Sequence, residues 1–272
     1  MLPAYDAPMA GAVVFIHGAW VTARCWDPFV SYFTERGYHC VAPSWPHKDA
    51  SPAQQRTSPP PGLAGLGVAE IVDHYARVIR EQPEPPILIG HSFGGLFVQL
   101  LLARGLGRAG VAISPAPPRG VFALYPAAVR SNLPVLARWG GWRTIVPVGF
   151  NEFAYGFLNL LPPDEQRRVY EEQATPETGR IFFQAAFALL DPKRATAVDF
   201  REVRAPLLMT AGSADHNVVA AMVRATYRRY RSSPASTEFH EFVGHSHWVI
   251  AEPGWEDVAT YARQWIEALP PA

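Results

Sequence analysis

Three residues far apart in this chain have the types needed to attack a carbonyl: a serine, an aspartate and a histidine. Ser92 lies within Gly90-His91-Ser92-Phe93-Gly94, a G-x-S-x-G pattern. The apolar run Ile87-Leu88-Ile89 before it is short enough for a buried strand. Leu96, Phe97, Leu100 and Leu101 after it recur at helical spacing. A strand and a helix joined this tightly leave no room for a Cβ on either side of the serine. The turn holds the serine in a strained conformation, with its oxygen above a helix N-terminus. There the free N–H groups and the positive end of the helix dipole favour developing negative charge. A serine hydroxyl is a poor nucleophile near neutrality, so it needs a base, and the base needs an orienting partner.

Those partners must come from the ends of other strands. Asp215 follows the strand Pro206–Ala211 and a Gly-Ser-Ala turn, where a carboxylate can reach an imidazole. It is equally placed to cap the segment that follows. An acid after the strand ending at Ser114 would be the other option, but Ser-Pro-Ala-Pro-Pro-Arg holds no carboxylate. For the base, Gly244-His245-Ser246-His247 offers two histidines pointing different ways. His247, three residues past the glycine that ends its strand, is favoured over His245. The chain order Ser, Asp, His is the order expected for a nucleophile elbow. In the loop His17-Gly18-Ala19-Trp20, the Ala19 N–H can pair with the Phe93 N–H to receive an oxyanion. His17 is expected to brace that loop. Trp20, His91 and Trp248 flank these motifs and are expected to touch substrate.

The elements that must position these groups read as strands alternating with helices. Strands are predicted over 12–16, 39–43, 87–90, 110–114, 206–211 and 237–243, with helices over 25–36, 67–82, 93–103, 216–230 and 255–269. Such alternation predicts a mostly parallel sheet with helices on both faces. Residues 44–66, rich in Pro, Ser and Gly, read as a surface loop. From Pro115 to about Phe200 the alternation stops. Prolines and aromatics from Phe122 to Phe187 dominate, with helical spacing over 163–175 and 179–190. That stretch is too long for a loop and predicts an inserted helical cap. The expected organisation is a core of 1–114 and 201–272 interrupted by a cap at 115–200.

Composition narrows the function further. Twenty-four basic residues balance twenty-four acidic ones, so no net field draws nucleic acid or an anionic membrane. Residues 1–10 lack the pattern of a secretory signal, and the apolar runs fall short of a membrane span. Cys25 and Cys40 match no zinc spacing and are expected as two reduced, packed thiols in a cytoplasmic protein. No metal or organic cofactor is expected.

Taken together, the His-Gly loop, Gly-His-Ser-Phe-Gly, Gly-Ser-Ala-Asp and Gly-His-Ser-His resemble the α/β-hydrolase superfamily, over residues 12–269. The resemblance implies a cap after the sixth strand, matching 115–200, with Ser92 as nucleophile, Asp215 as acid and His247 as base. The chain departs from it by starting almost at the usual third strand. It also carries His-Gly-Ala-Trp where many lipases and esterases have His-Gly-Gly-Gly, which places it nearer small capped esterases, perhydrolases and hydroxynitrile lyases. Serine at 92 sets it apart from the dehalogenase and epoxide hydrolase branches. The expected function is a serine hydrolase that cleaves a small-molecule carboxylic ester with an apolar or aromatic group. A lyase or carbon–carbon hydrolase using the same residues, and a non-catalytic ligand-binding protein, are the alternatives.

Overall fold

The structure is a computed structural model that describes residues 11–121 and 124–270. Residues 1–10 and Phe122, on which part of the reading above falls, lie outside the described residues. Six parallel strands form one sheet in the order β2-β1-β3-β4-β7-β8. They are β1 (Ala12–Ile16), β2 (His39–Val41), β3 (Ile87–His91), β4 (Ala109–Ile113), β7 (Leu207–Gly212) and β8 (Thr237–Phe242). Every residue of β3, β4 and β7 is buried. That explains why they are almost wholly apolar, with no polar side alternating: a parallel strand covered on both faces has no polar side to show.

Helices cover the sheet because their apolar residues recur at helical spacing. In α3 (Val68–Arg80) the buried residues are Val68, Ile71, Val72, Tyr75, Ala76 and Ile79. By contrast α4 (Phe93–Ala103) is buried from Phe93 to Leu102, a helix surrounded by protein rather than lying on its surface. The remaining core helices are α1 (Asp27–Thr34), α2 (Pro52–Thr57), α9 (Ala220–Arg229) and α10 (Trp255–Glu267). Gly37, at φ +83°, ends the helix predicted to stop there.

Between β4 and β7 the chain forms α5 (Pro126–Leu136), α6 (Phe150–Phe157), α7 (Pro163–Gln173) and α8 (Gly179–Ala186). A two-stranded ribbon, β5 (Ile145–Val146) antiparallel to β6 (Glu177–Thr178), ties this insert together. Its aromatic rings pack down toward the sheet edge: Phe182 lies 4.4 Å from Trp20 and 5.4 Å from Phe93, and Phe157 lies 4.8 Å from the His247 ring.

One expectation is corrected. Residues 44–66 are not a surface loop: Trp45, Lys48, Gln55 and Leu63 are fully buried, and the segment contains α2 and a turn of 3₁₀ helix at Pro61–Gly65. Trp45 stacks on His17 at 4.8 Å and meets Phe97 at 5.4 Å. Proline and glycine shape the backbone here, but long-range packing of one tryptophan and one lysine decides its burial. A signal was present: Ser51 and Gln54 form a capping box, with Pro52 at the first helical position. Both cysteines are free thiols, and burial pushes the Cys25 thiol far above its usual range. Among the described residues, no helix is long and apolar enough to cross a membrane.

Candidate active site

The turn from β3 into α4 is built on two glycines that admit nothing larger. A Cβ on Gly90 would stand 2.2 Å from the Gly94 carbonyl oxygen, and one on Gly94 would stand 1.9 Å from that of Ile16. Neither neighbour is a side chain that can swing away, so a substitution at Gly90 must push α4 off β3 and one at Gly94 must push α4 off β1. Between them Ser92 is held at φ +57° and ψ −121°. A non-glycine residue in such a conformation costs about 1–3 kcal/mol and persists only where its surroundings over-determine it. Here they do: the Ser92 N–H donates to the Ile113 carbonyl at 3.0 Å, and its carbonyl accepts from Gly95 and Ala116.

Loops at the carboxyl ends of β7 and β8 bring the other two groups to this turn. His247 Nε2 lies 3.0 Å from Ser92 Oγ, and His247 Nδ1 lies 2.7 Å from Asp215 Oδ2. A carboxylate only accepts, so Nδ1 carries the proton and Nε2 presents a lone pair to the serine hydroxyl. Asp215 Oδ1 meanwhile accepts from the Asn217 and Val218 N–H groups, both at 2.7 Å. The carboxylate therefore acts both as a local cap and as the imidazole's partner, one oxygen to each. The Asp215 and His247 side chains are wholly shielded from solvent, and Ser92 is 4% exposed.

His245, the other candidate, turns away. Its Nδ1–H donates to Glu252 Oε1 at 3.0 Å. Glu252, buried and not singled out from the sequence, also accepts from the Ser246 N–H at 2.8 Å and from the Ser246 hydroxyl. It ties the loop that carries His247. The spacing His245/Ser246/Glu252 marks no motif, so only the folded loop reveals the role. Replacing His245 by alanine is expected to change turnover less than about tenfold, because the residue touches none of the three groups at the elbow. Steady-state kinetics of that variant beside His247→Ala measure the difference.

The loop after β1 lies directly against the serine: a Cβ on Gly18 would come within 2.8 Å of Ser92 Cβ. Among the described residues neither the Ala19 nor the Phe93 N–H donates to a protein acceptor. His17 braces this loop: its Nε2 accepts from the Trp45 N–H at 3.1 Å and its Nδ1–H donates to the Gly18 carbonyl at 2.8 Å. Trp20 borders a cavity of about 590 Å³ whose floor includes Ser92 and Phe93 and whose walls include Leu136, Phe182, Val218 and Met222. His91 and Trp248, expected to touch substrate, are not on that wall. His91 is fully buried and its Nε2–H donates to the His247 carbonyl at 2.8 Å. Trp248 is 2% exposed, and its N–H donates to Phe157. His91 is the last residue of β3, where side chains alternate between the two faces of the sheet, and Trp248 lies in the turn that follows His247.

Burial, reinforced by the Lys48 charge, holds His17 well below the ordinary 6.5, and burial followed by the neighbouring His247 does the same to His91. Both rings are neutral when folded, whereas unfolded they titrate near 6.5. Below that pH the unfolded chain binds more protons, so stability is expected to fall on acidification. The loss is up to about 1.4 kcal/mol per pH unit for each ring. Urea unfolding at pH 7.5, 6.0 and 5.0 checks this, and His91→Gln, which keeps the donor without the titration, should show the shallower loss.

A parallel sheet wound by helices, with a serine on its sharpest turn and an acid and a histidine from later strand ends, defines an α/β-hydrolase fold. The chain belongs to the alpha/beta hydrolase family, which it matches over residues 13–260. Comparison with curated proteins found no matching sequence. Solved structures of the same fold include a monoacylglycerol lipase from Paleococcus ferrophilus, 21% identical with a TM-score of 0.68, covering 96% of this chain and 95% of that one. An extracellular alpha/beta-hydrolase from a Paenibacillus species is 18% identical with a TM-score of 0.68 (94% and 98% covered). A methylesterase from Arabidopsis is 14% identical with a TM-score of 0.67 (95% and 99% covered).

Proposed function

We propose that the protein is a serine hydrolase that cleaves carboxylic esters through an acyl-enzyme. The observation that carries this reading is the unbroken line from Asp215 through His247 to Ser92 Oγ, at 2.7 and 3.0 Å, ending at the floor of an apolar cavity. His247 takes the serine proton as Oγ attacks the ester carbon. The carbonyl oxygen becomes an anion that the Ala19 and Phe93 N–H groups receive; such a donor contributes roughly 3–4 kcal/mol to the transition state. His247 then gives its proton to the leaving alcohol. A water activated by the same ring releases the acid and restores the serine. Throughout, Asp215 holds the ring in the tautomer that leaves Nε2 free and stabilises the imidazolium.

The helices between β4 and β7, residues 115–200, act in this reading as a cap over Ser92. Ester-cleaving proteins are among the chains that share its fold. The cavity walls suit an apolar acyl or aromatic group, and the lining residues Leu133, Phe187, Leu189 and Leu190 are exposed. Each methylene buried there adds about 0.8 kcal/mol, so kcat/KM on p-nitrophenyl esters is expected to rise up to roughly fourfold per added methylene until the cavity fills. A chain-length series from acetate to dodecanoate tests this. A profile that is flat or highest for acetate rejects the apolar acyl group. A protein that turns over none of the series and resists a fluorophosphonate rejects the hydrolase.

A further inference from the structure

Two charged side chains lie deep in this protein and take no part in the chemistry described above. Lys48 Nζ and Glu177 Oε2 are 2.5 Å apart, and both side chains are wholly shielded from solvent. Removing two charges from water is costly, and an apolar pair of similar size often serves stability as well or better. Their place in the fold supplies another reason. Glu177 comes from β6, in the insert, yet its Oε2 also accepts from the Trp20 N–H at 3.2 Å, and its Oε1 accepts from the Thr178 N–H at 2.9 Å. Two residues earlier, the Thr175 N–H donates to the Trp20 carbonyl at 2.9 Å. The insert thus grips both backbone groups of Trp20, a non-glycine residue at φ +61°.

Trp20 follows Ala19, whose N–H is assigned to the oxyanion. A peptide unit is planar, so holding one end of it sets the direction of the other. The plane before Ala19 has its carbonyl, that of Gly18, held by His17. The plane after Ala19 has its N–H, that of Trp20, held by Glu177. With both planes pinned, the direction of the Ala19 N–H is fixed. Lys48 in turn donates to Glu177 Oε2 and holds that carboxylate in place. It is seated by the Gln55 side chain, which donates to the Lys48 carbonyl at 3.1 Å, and by its own N–H to Trp45.

We propose that Lys48 and Glu177 are positioning residues of the oxyanion site, joining the insert to the loop that carries the Ala19 donor. The proposal rests on the reading of Ser92 as nucleophile and Ala19 as donor. It assigns the insert a second task besides covering the cavity: completing the electrostatics beneath it. Such a role acts on the transition state and leaves ground-state binding alone.

Two double variants separate this from a structural role. Lys48→Met with Glu177→Leu removes both charges and the acceptor for the Trp20 N–H. Lys48→Met with Glu177→Gln removes the charges but keeps an acceptor. Both replace the buried pair with side chains of similar length, and thermal unfolding of each shows that it is folded. On a p-nitrophenyl ester, the Leu variant is expected to lose roughly 10- to 100-fold in kcat with KM within about threefold, the loss anticipated for a displaced oxyanion donor. The Gln variant should recover most of that loss. A folded Leu variant with wild-type kcat, or two variants that lose activity equally, overturns the positioning role while the serine hydrolase stands. A wild-type protein without Ser92-dependent ester cleavage overturns both.

Discussion

Ser92→Ala is expected to lower kcat on activated esters by roughly 10⁶-fold and to abolish labelling by a fluorophosphonate. The size follows from how the site is arranged. Without the oxygen, His247 has no proton to take, and the bound ester faces only water. The Ala19 and Phe93 donors and the cavity stay in place, so a small residual rate above that of water should survive. The substitution fits the turn, because alanine removes one buried atom without adding bulk beside Gly90 or Gly94. It also leaves intact the backbone bonds that Ser92 donates to Ile113 and accepts from Gly95 and Ala116. A folded variant with near-wild-type turnover would remove Ser92 from the chemistry and with it the acyl-enzyme. Single-turnover measurements and mass spectrometry of the labelled protein read both outcomes.

Asp215→Asn is expected to cost roughly 10⁴-fold in kcat while changing stability little, through the tautomer of one ring. Oδ1 of Asp215 receives two backbone N–H groups, at 2.7 Å each, and an amide nitrogen cannot replace it there. The asparagine must therefore keep its oxygen on Asn217 and Val218 and turn its NH2 toward His247. Nδ1 then has to accept, the proton moves to Nε2, and the ring points an N–H at Ser92 instead of a lone pair. All three side chains stay where they were, yet the base is lost. Measuring kcat together with the unfolding midpoint tests this. Near-normal turnover in the asparagine variant would show that Asp215 serves only as the local cap.

The features legible in the sequence are those governed by neighbours along the chain. Gly90 is required by a contact within its own strand–turn–helix unit, so the sharp turn and the raised Ser92 can be read from five letters, whereas the reason Gly94 must stay bare, the Ile16 carbonyl of β1, is a long-range one. The buried strands announce themselves as apolar runs, and their parallel order forces Ser92, Asp215 and His247 toward one edge of the sheet. Even the capping box at Ser51 was present to be read in a segment whose proline and glycine content suggested a loop.

Only the tertiary structure decided which distant side chains share a dry space. Nothing near Lys48 in sequence calls for Glu177, 129 residues on, and nothing in Gly-His-Ser-His shows that Glu252 draws His245 away. His91 and Trp248 stand beside Ser92 and His247 in sequence but are buried in the core, because a side chain's direction follows backbone geometry rather than proximity along the chain. Local sterics act over a few residues and leave a pattern in the letters. The pairing of buried charges depends on which loops the packed core brings together, and that emerges only when the whole chain has closed.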